Sequence, residues 1–113
     1  MSLEDVRAAV ASTGYDMSRV HAIAGPVEET LPHQVLPELA LIRLDTDFYQ
    51  STRAELEHLY PRLVAGGVMI IDDYGHFRGA REAVDEYFAA TRIFLSRIDY
   101  TARLAIKDAS GKL

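Results

Sequence analysis

Two apolar runs that end in acids carry the chemistry this chain can do. Ala40-Leu41-Ile42-Arg43-Leu44 leads into Asp45-Thr46-Asp47, and Val68-Met69-Ile70-Ile71 leads into Asp72-Asp73-Tyr74-Gly75-His76. Short continuous apolar runs bounded by turn residues read as strands buried on both faces, as in a parallel sheet under helices. In such sheets ligands collect just beyond the carboxyl ends of the strands. Neighbouring strands with acidic ends therefore place Asp45, Asp72 and Asp73 around one crevice. Carboxylates that close repel one another, so either some stay protonated or a cation sits among them. A hard divalent ion such as Mg²⁺ takes oxygen ligands and keeps positions open for water or substrate. The competing reading is that each Asp caps a helix or satisfies loop amides. Acids on both strand ends favour the metal, with Asp47 assigned to loop amides.

The elements that must position these acids follow from periodicity. Ser2 as N-cap with Asp5 three residues on opens a helix over 3–13, with Leu3, Val6, Ala9 and Val10 as its apolar stripe and Gly14 beyond its end. Val20-His21-Ala22-Ile23-Ala24 reads as a short strand in which His21 packs or lies at an edge. The first core strand spans 39–45 and the second 68–72. Between them, Thr52-Arg53-Ala54-Glu55 has capping-box spacing ahead of Leu56, Leu59, Tyr60 and Leu63, and Pro61 marks the last turn. This is one βαβ unit, with both acid clusters at the same end of the sheet. A further helix is expected over 79–90, with Ala80, Ala83, Val84, Tyr87 and Phe88 on one face. Residues 93–98 and 102–106 read as an antiparallel hairpin, and Gly111-Lys112-Leu113 as a frayed end.

Composition narrows the classes. With 113 residues the chain is a single domain at most, and 49% hydrophobic with 26% charged residues is ordinary for a globular protein. No Cys is present, which excludes disulfides, thiolate metal sites and Cys nucleophiles. A formal charge of −5 without any basic run argues against nucleic-acid binding. No apolar stretch approaches the roughly 20 residues that cross a bilayer, and Met1-Ser2-Leu3-Glu4-Asp5 lacks the pattern of a signal peptide. A cytoplasmic protein that binds neither membrane nor nucleic acid is expected.

Taken together, Leu44-Asp45-Thr46-Asp47-Phe48-Tyr49-Gln50-Ser51-Thr52, Leu59-Tyr60-Pro61-Arg62-Leu63, Gly66-Gly67 and Ile70-Ile71-Asp72-Asp73-Tyr74-Gly75 closely resemble the macrocin O-methyltransferase (TylF-like) family. Gly25-Pro26-Val27-Glu28-Glu29-Thr30-Leu31-Pro32 and Ala83-Val84-Asp85-Glu86-Tyr87 look like family segments too, so the resemblance covers residues 20–90. It implies a Rossmann-like class I methyltransferase fold, mostly parallel with a C-terminal antiparallel hairpin. It also implies S-adenosylmethionine (SAM) and Mg²⁺ as cofactors, and methylation of a hydroxyl on a sugar or other small natural product. Asp45, Asp72 and Asp73 are the metal ligands by this resemblance. Asp45 receives the substrate proton, with His76 as the rival base. Tyr49, Tyr74 and Phe77 are expected either to line the acceptor pocket or to pack in the core or at its rim.

The resemblance is to the C-terminal half of such enzymes. Their first half supplies a strand, a glycine-rich turn and a helix for SAM, whereas Gly66-Gly67 here follow a helix. In the family's sheet the first two strands lie between the third and the fourth. Residues 1–113 on their own therefore leave strand 39–45 with an open edge, which either recruits a second copy or repacks beside residues 20–24. Two other readings stand beside the enzyme: a non-catalytic assembly module, and a Mg²⁺-dependent phosphohydrolase using Asp45-Thr46-Asp47. The phosphohydrolase needs a phosphate-binding Lys between its motifs, and the chain has only Lys107 and Lys112.

Overall fold

A computed structural model describes residues 1–33, 36–91 and 93–108. Helix α1 (Leu3–Ala11) opens on the expected capping box, in which Ser2 and Asp5 satisfy each other's backbone N–H groups. An extended stretch and a short helix α2 (Val27–Thr30) lead to strand β1 (Leu39–Leu44). Helix α3 (Tyr49–Leu59) continues through a 3₁₀ turn, Tyr60–Arg62, into strand β2 (Leu63–Ile71). Helix α4 (Arg78–Tyr87) precedes strands β3 (Ser96–Arg97) and β4 (Arg103–Ile106). The strands form one sheet in the order β1-β2-β4-β3.

Among the described residues only the β1–β2 pair is parallel, and the β2–β4 and β3–β4 pairs are antiparallel. The mostly parallel sheet expected from the resemblance is thus corrected to a mixed one. The chain contributes a single βαβ crossover, and its tight C-terminal hairpin can only pair antiparallel.

Register decides what each face does. Ile42 aligns with Met69 and Ala105, and all of them are buried against Leu56 and Tyr60 of the α3 segment and Val84 and Phe88 of the α4 segment. Leu41 aligns with Val68 and Ile106 on the other face, where Leu41 is 57% and Ile106 59% exposed. The core strands were expected to be buried on both faces; among the described residues they are covered on one. Helices α3 and α4 both pack on the side of Ile42 and Met69.

Several boundaries differ from the sequence reading. Residues 20–24 form no strand, and β1 stands at the end of the sheet without them. Strand β2 starts at Leu63 rather than Val68, because Leu39 pairs with Leu63 and Leu41 with Val68, leaving an irregularity between. Gly66, at φ +81°, makes that irregularity possible, and it donates its N–H to the carbonyl of Lys107. The Lys107 ammonium is buried, donating to the Tyr60 carbonyl at 3.1 Å and standing 4.6 Å from the Tyr60 ring centroid. The proposed frayed end, Gly111-Lys112-Leu113, lies outside the described residues.

The core makes a direct prediction. Leu56 has no solvent exposure and belongs to the same buried cluster as Ile42 and Met69 of the sheet and Val84 of α4. Leu56→Ala should cost about 2–5 kcal/mol, read as a lower urea midpoint at unchanged slope; a loss within error of zero would mean this face is not the core.

Candidate functional site

The site is built where β1 and β2 end side by side. The Asp72 N–H donates to the Leu44 carbonyl at 2.9 Å, so parallel pairing persists past the last strand residue and holds the two acidic ends together. After Asp45 the chain turns sharply. Phe48 N–H reaches back to the Thr46 carbonyl at 2.7 Å, and Asp47 adopts φ +67°, a left-handed conformation that Asp tolerates better than most residues. The Ser51 hydroxyl, from the first turn of α3, donates to the same Thr46 carbonyl. On the other strand, Asp73 accepts the backbone N–H groups of His76 and Phe77 through its carbonyl, which closes the turn into α4.

These turns bring together a set of acids that differs in one member from the one expected. Carboxylate oxygens of Asp45, Asp47 and Asp73 all lie within 4.8 Å of one another. Asp72 faces the Arg43 guanidinium instead, whose Nε donates to Asp72 Oδ2 at 3.0 Å while Nη2 contacts the same oxygen. Nη2 also stands 3.3 Å from Asp45 Oδ2, so Arg43 bridges the two strand ends and Asp45 belongs to both groups. Asp47, read from sequence as a ligand of loop amides, points its carboxylate into the cluster.

Electrostatics around Asp73 reflect the crowding. Burial, with the Asp47 and Asp45 carboxylates beside it, pushes its pKa up to about 7. Its Oδ2 is sealed from solvent and accepts from no donor among the described residues, leaving the Asp45 and Asp47 carboxylates as its near neighbours. An orphaned carboxylate oxygen facing two further acids is the donor chemistry a hard divalent cation requires, so the residues present fit such an ion.

The remaining expected residues surround the acids in different ways. The His76 ring packs edge-on against Phe77 at 4.8 Å and Tyr100 at 6.0 Å between centroids, and only its backbone N–H is bonded to an acid of the cluster among the described residues, at the Asp73 carbonyl. Tyr49, the first residue of α3, donates its hydroxyl to Glu86 of α4. Tyr74 donates to Asp85 at 2.7 Å, and the guanidiniums of Arg81 and Arg103 each stand 5.4 Å from its ring centroid. Phe77 is the N-cap residue of α4 and is partly exposed.

Sequence reasoning missed Glu55. Its role as the acid of a capping box fails because α3 opens at Tyr49, which puts Thr52 and Glu55 inside the helix at 2% and 5% exposure. Glu55 accepts a hydrogen bond from the Thr46 hydroxyl, and burial pushes its pKa up to about 7. The available signal was spacing: positions 52, 55, 56 and 59 lie on one helical stripe, so an acid at 55 sits on the buried face.

An α/β sheet with acids gathered at the ends of adjacent parallel strands is the layout of a ligand-binding α/β domain. The Macrocin-O-methyltransferase (TylF) family matches residues 1–105, and the chain belongs to that family. It is 45% identical over 85 residues to the 8-demethyl-8-(2,3-dimethoxy-alpha-L-rhamnosyl)-tetracenomycin-C 4'-O-methyltransferase of Streptomyces olivaceus, covering 75% of this chain and 32% of that protein. It is 40% identical over 77 residues to the demethyldecarbamoylnovobiocin O-methyltransferase of Streptomyces niveus, covering 66% of this chain and 29% of that one. The solved structure of the O-methyltransferase NovP superposes with a TM-score of 0.91 at 33% identity, covering 96% of this chain and 46% of that chain. The chain thus spans under half the length of the proteins it matches.

The raised carboxyls fix how stability depends on pH. Asp73 and Glu55 both titrate near 7 in the folded chain against roughly 3.9 and 4.3 when unfolded. The folded state therefore holds extra protons between those values. Their contribution is complete below the unfolded pKa values and is lost as pH rises through about 7. Cation-free chain should be less stable to urea at about pH 8 than at about pH 5, and Asp73→Asn should flatten that slope. An unaltered slope in the variant would place Asp73 outside a crowded acid cluster.

Proposed function

We propose that the chain supplies the cation- and acceptor-binding part of a Rossmann-like class I methyltransferase, one that methylates a hydroxyl of a sugar or other natural product. One observation carries the reading: carboxylates from the ends of two parallel strands converge within 4.8 Å, with an orphaned oxygen among them, in a chain of this family. The relatives support the substrate class, since their names specify a rhamnosyl-bearing tetracenomycin and demethyldecarbamoylnovobiocin.

Within this reading Asp45 and Asp73 hold a divalent cation such as Mg²⁺, with a third carboxylate from Asp72, by resemblance, or Asp47, by proximity. The cation supplies Lewis acidity that eases proton loss from a substrate hydroxyl near neutral pH. Asp45, the most exposed of the clustered acids, accepts that proton. His76 is less suited to the task, because its ring is packed against Phe77 and Tyr100. Tyr49 and Tyr74 offer ring surface rather than hydroxyls to the acceptor, since both hydroxyls already donate to α4 acids. Phe77 adds an apolar wall. What remains is positioning, which brings nucleophile, methyl group and leaving sulfur into line.

SAM is the methyl donor of the complete enzyme in this proposal, and residues 1–113 alone do not hold it. The turns after β1 and β2 are built from acids, and neither is a glycine-rich phosphate-type loop. A cytoplasmic site of action goes with the use of SAM. The free edge of β1, beside the exposed Leu41, is the surface through which isolated chains self-associate. The family assignment leaves the phosphohydrolase reading without support.

Titration with Mn²⁺, followed by electron paramagnetic resonance, tests the cation site. Asp45→Asn and Asp73→Asn should each weaken binding by about tenfold or more, and comparing Asp47→Asn with Asp72→Asn identifies the third ligand. Binding unchanged by both of the first two substitutions would end the proposal. For the isolated chain, calorimetry should detect no tight SAM uptake, and sedimentation should show association that grows with concentration. Stoichiometric SAM uptake or a strictly monomeric species would each overturn its half of that expectation.

A further inference from the structure

Glu55 is the acid for which the proposed chemistry has no use. It lies on α3, is 5% exposed, and accepts from the Thr46 hydroxyl at 2.5 Å. Burying a carboxyl on the apolar stripe of a helix is costly unless it is hydrogen-bonded, and Thr46 is its hydrogen-bond partner. Thr46 is the residue between Asp45 and Asp47. Its side chain is drawn to α3 while the carboxylates on either side of it meet Asp73. The same residue's carbonyl is held twice, by the Phe48 N–H at 2.7 Å and the Ser51 hydroxyl at 3.2 Å. The next residue, Asp47, sits at φ +67°, a conformation that persists only where its surroundings enforce it.

We propose that Glu55 is a positioning residue: through Thr46 it anchors the left-handed turn that aims Asp45 and Asp47 at Asp73, and so sets the spacing of the acid cluster. The cation part of this inference rests on the function proposed above, whereas the anchoring part does not. Glu55 stands outside the cluster of Asp45, Asp47 and Asp73 and acts on it only through Thr46. What it requires from its partner is a hydroxyl, and what it must offer is an acceptor oxygen.

Four variants separate anchoring from simple loss of packing. Thr46→Ser and Glu55→Gln keep a donor and an acceptor. Thr46→Val removes the donor at equal size, and Thr46→Val combined with Glu55→Met removes both partners, so that no buried polar group is stranded. In cation-free protein, backbone order parameters of residues 46–48 should stay near ~0.85 in the unmodified chain and the two conservative variants. They should fall below ~0.6 in the other two. Mn²⁺ affinity should drop by about tenfold in those same two variants and return in the conservative ones. Order parameters that stay high in the double variant overturn the proposal. Failure of the unmodified chain to bind Mn²⁺ would sink the cation reading instead, and the order parameters would still decide the role of Glu55.

Discussion

Carboxylates at the tips of two parallel strands repel, and much of the surrounding structure answers that repulsion. Parallel pairing leaves no choice about their proximity, because the Asp72 N–H continues the ladder onto Leu44 and carries both acidic ends to the same place. Arg43 neutralises one side by bridging Asp45 and Asp72. On the other side burial and the Asp47 and Asp45 carboxylates push the pKa of Asp73 up to about 7, which favours its neutral form. A guanidinium and a raised carboxyl pKa are two of the ways a protein can keep like charges close. A divalent cation would be a third.

Much of this was legible in the residues, and the failures have physical causes. The acidic ends, the βαβ unit and the C-terminal hairpin follow from apolar runs and turn residues, which act over short distances along the chain. The membership of the acid cluster does not, because it depends on side-chain direction. A single left-handed residue, Asp47, turns its carboxylate toward Asp73, and no periodicity reveals that. Arg43 was read as part of an apolar strand, yet the alternation of β1 puts it on the outer face, from which its long stem reaches the strand end. Glu55 was misread because capping-box spacing recurs by chance inside helices, and only the true start of α3 at Tyr49 distinguishes the two.

The sheet explains why family membership is so readily recognised in a chain that matches under half of its relatives' length. Strands β1, β2 and β4, with α3 and α4, enclose one contiguous core, and most of the motif residues lie on these elements or on the turns leaving them. The outer face is apolar in pattern but open at Leu41 and Ile106. Expecting β1 and β2 to be buried on both sides was a sound inference from their composition, since Leu41, Val68 and Ile70 have the character of core residues. Among the described residues that side stays exposed at Leu41 and Ile106.

Lys107 carries a consequence of its own. Its ammonium is capped by the Tyr60 carbonyl and ring, and its backbone exchanges hydrogen bonds with Gly66 and Gly67. Peeling β4 away at its Lys107 end would strip a buried cation of the Tyr60 carbonyl before Ala105 left the core. Loss of β4 from that end therefore meets its resistance at the outset, and the strand is latched in place between β2 and β3.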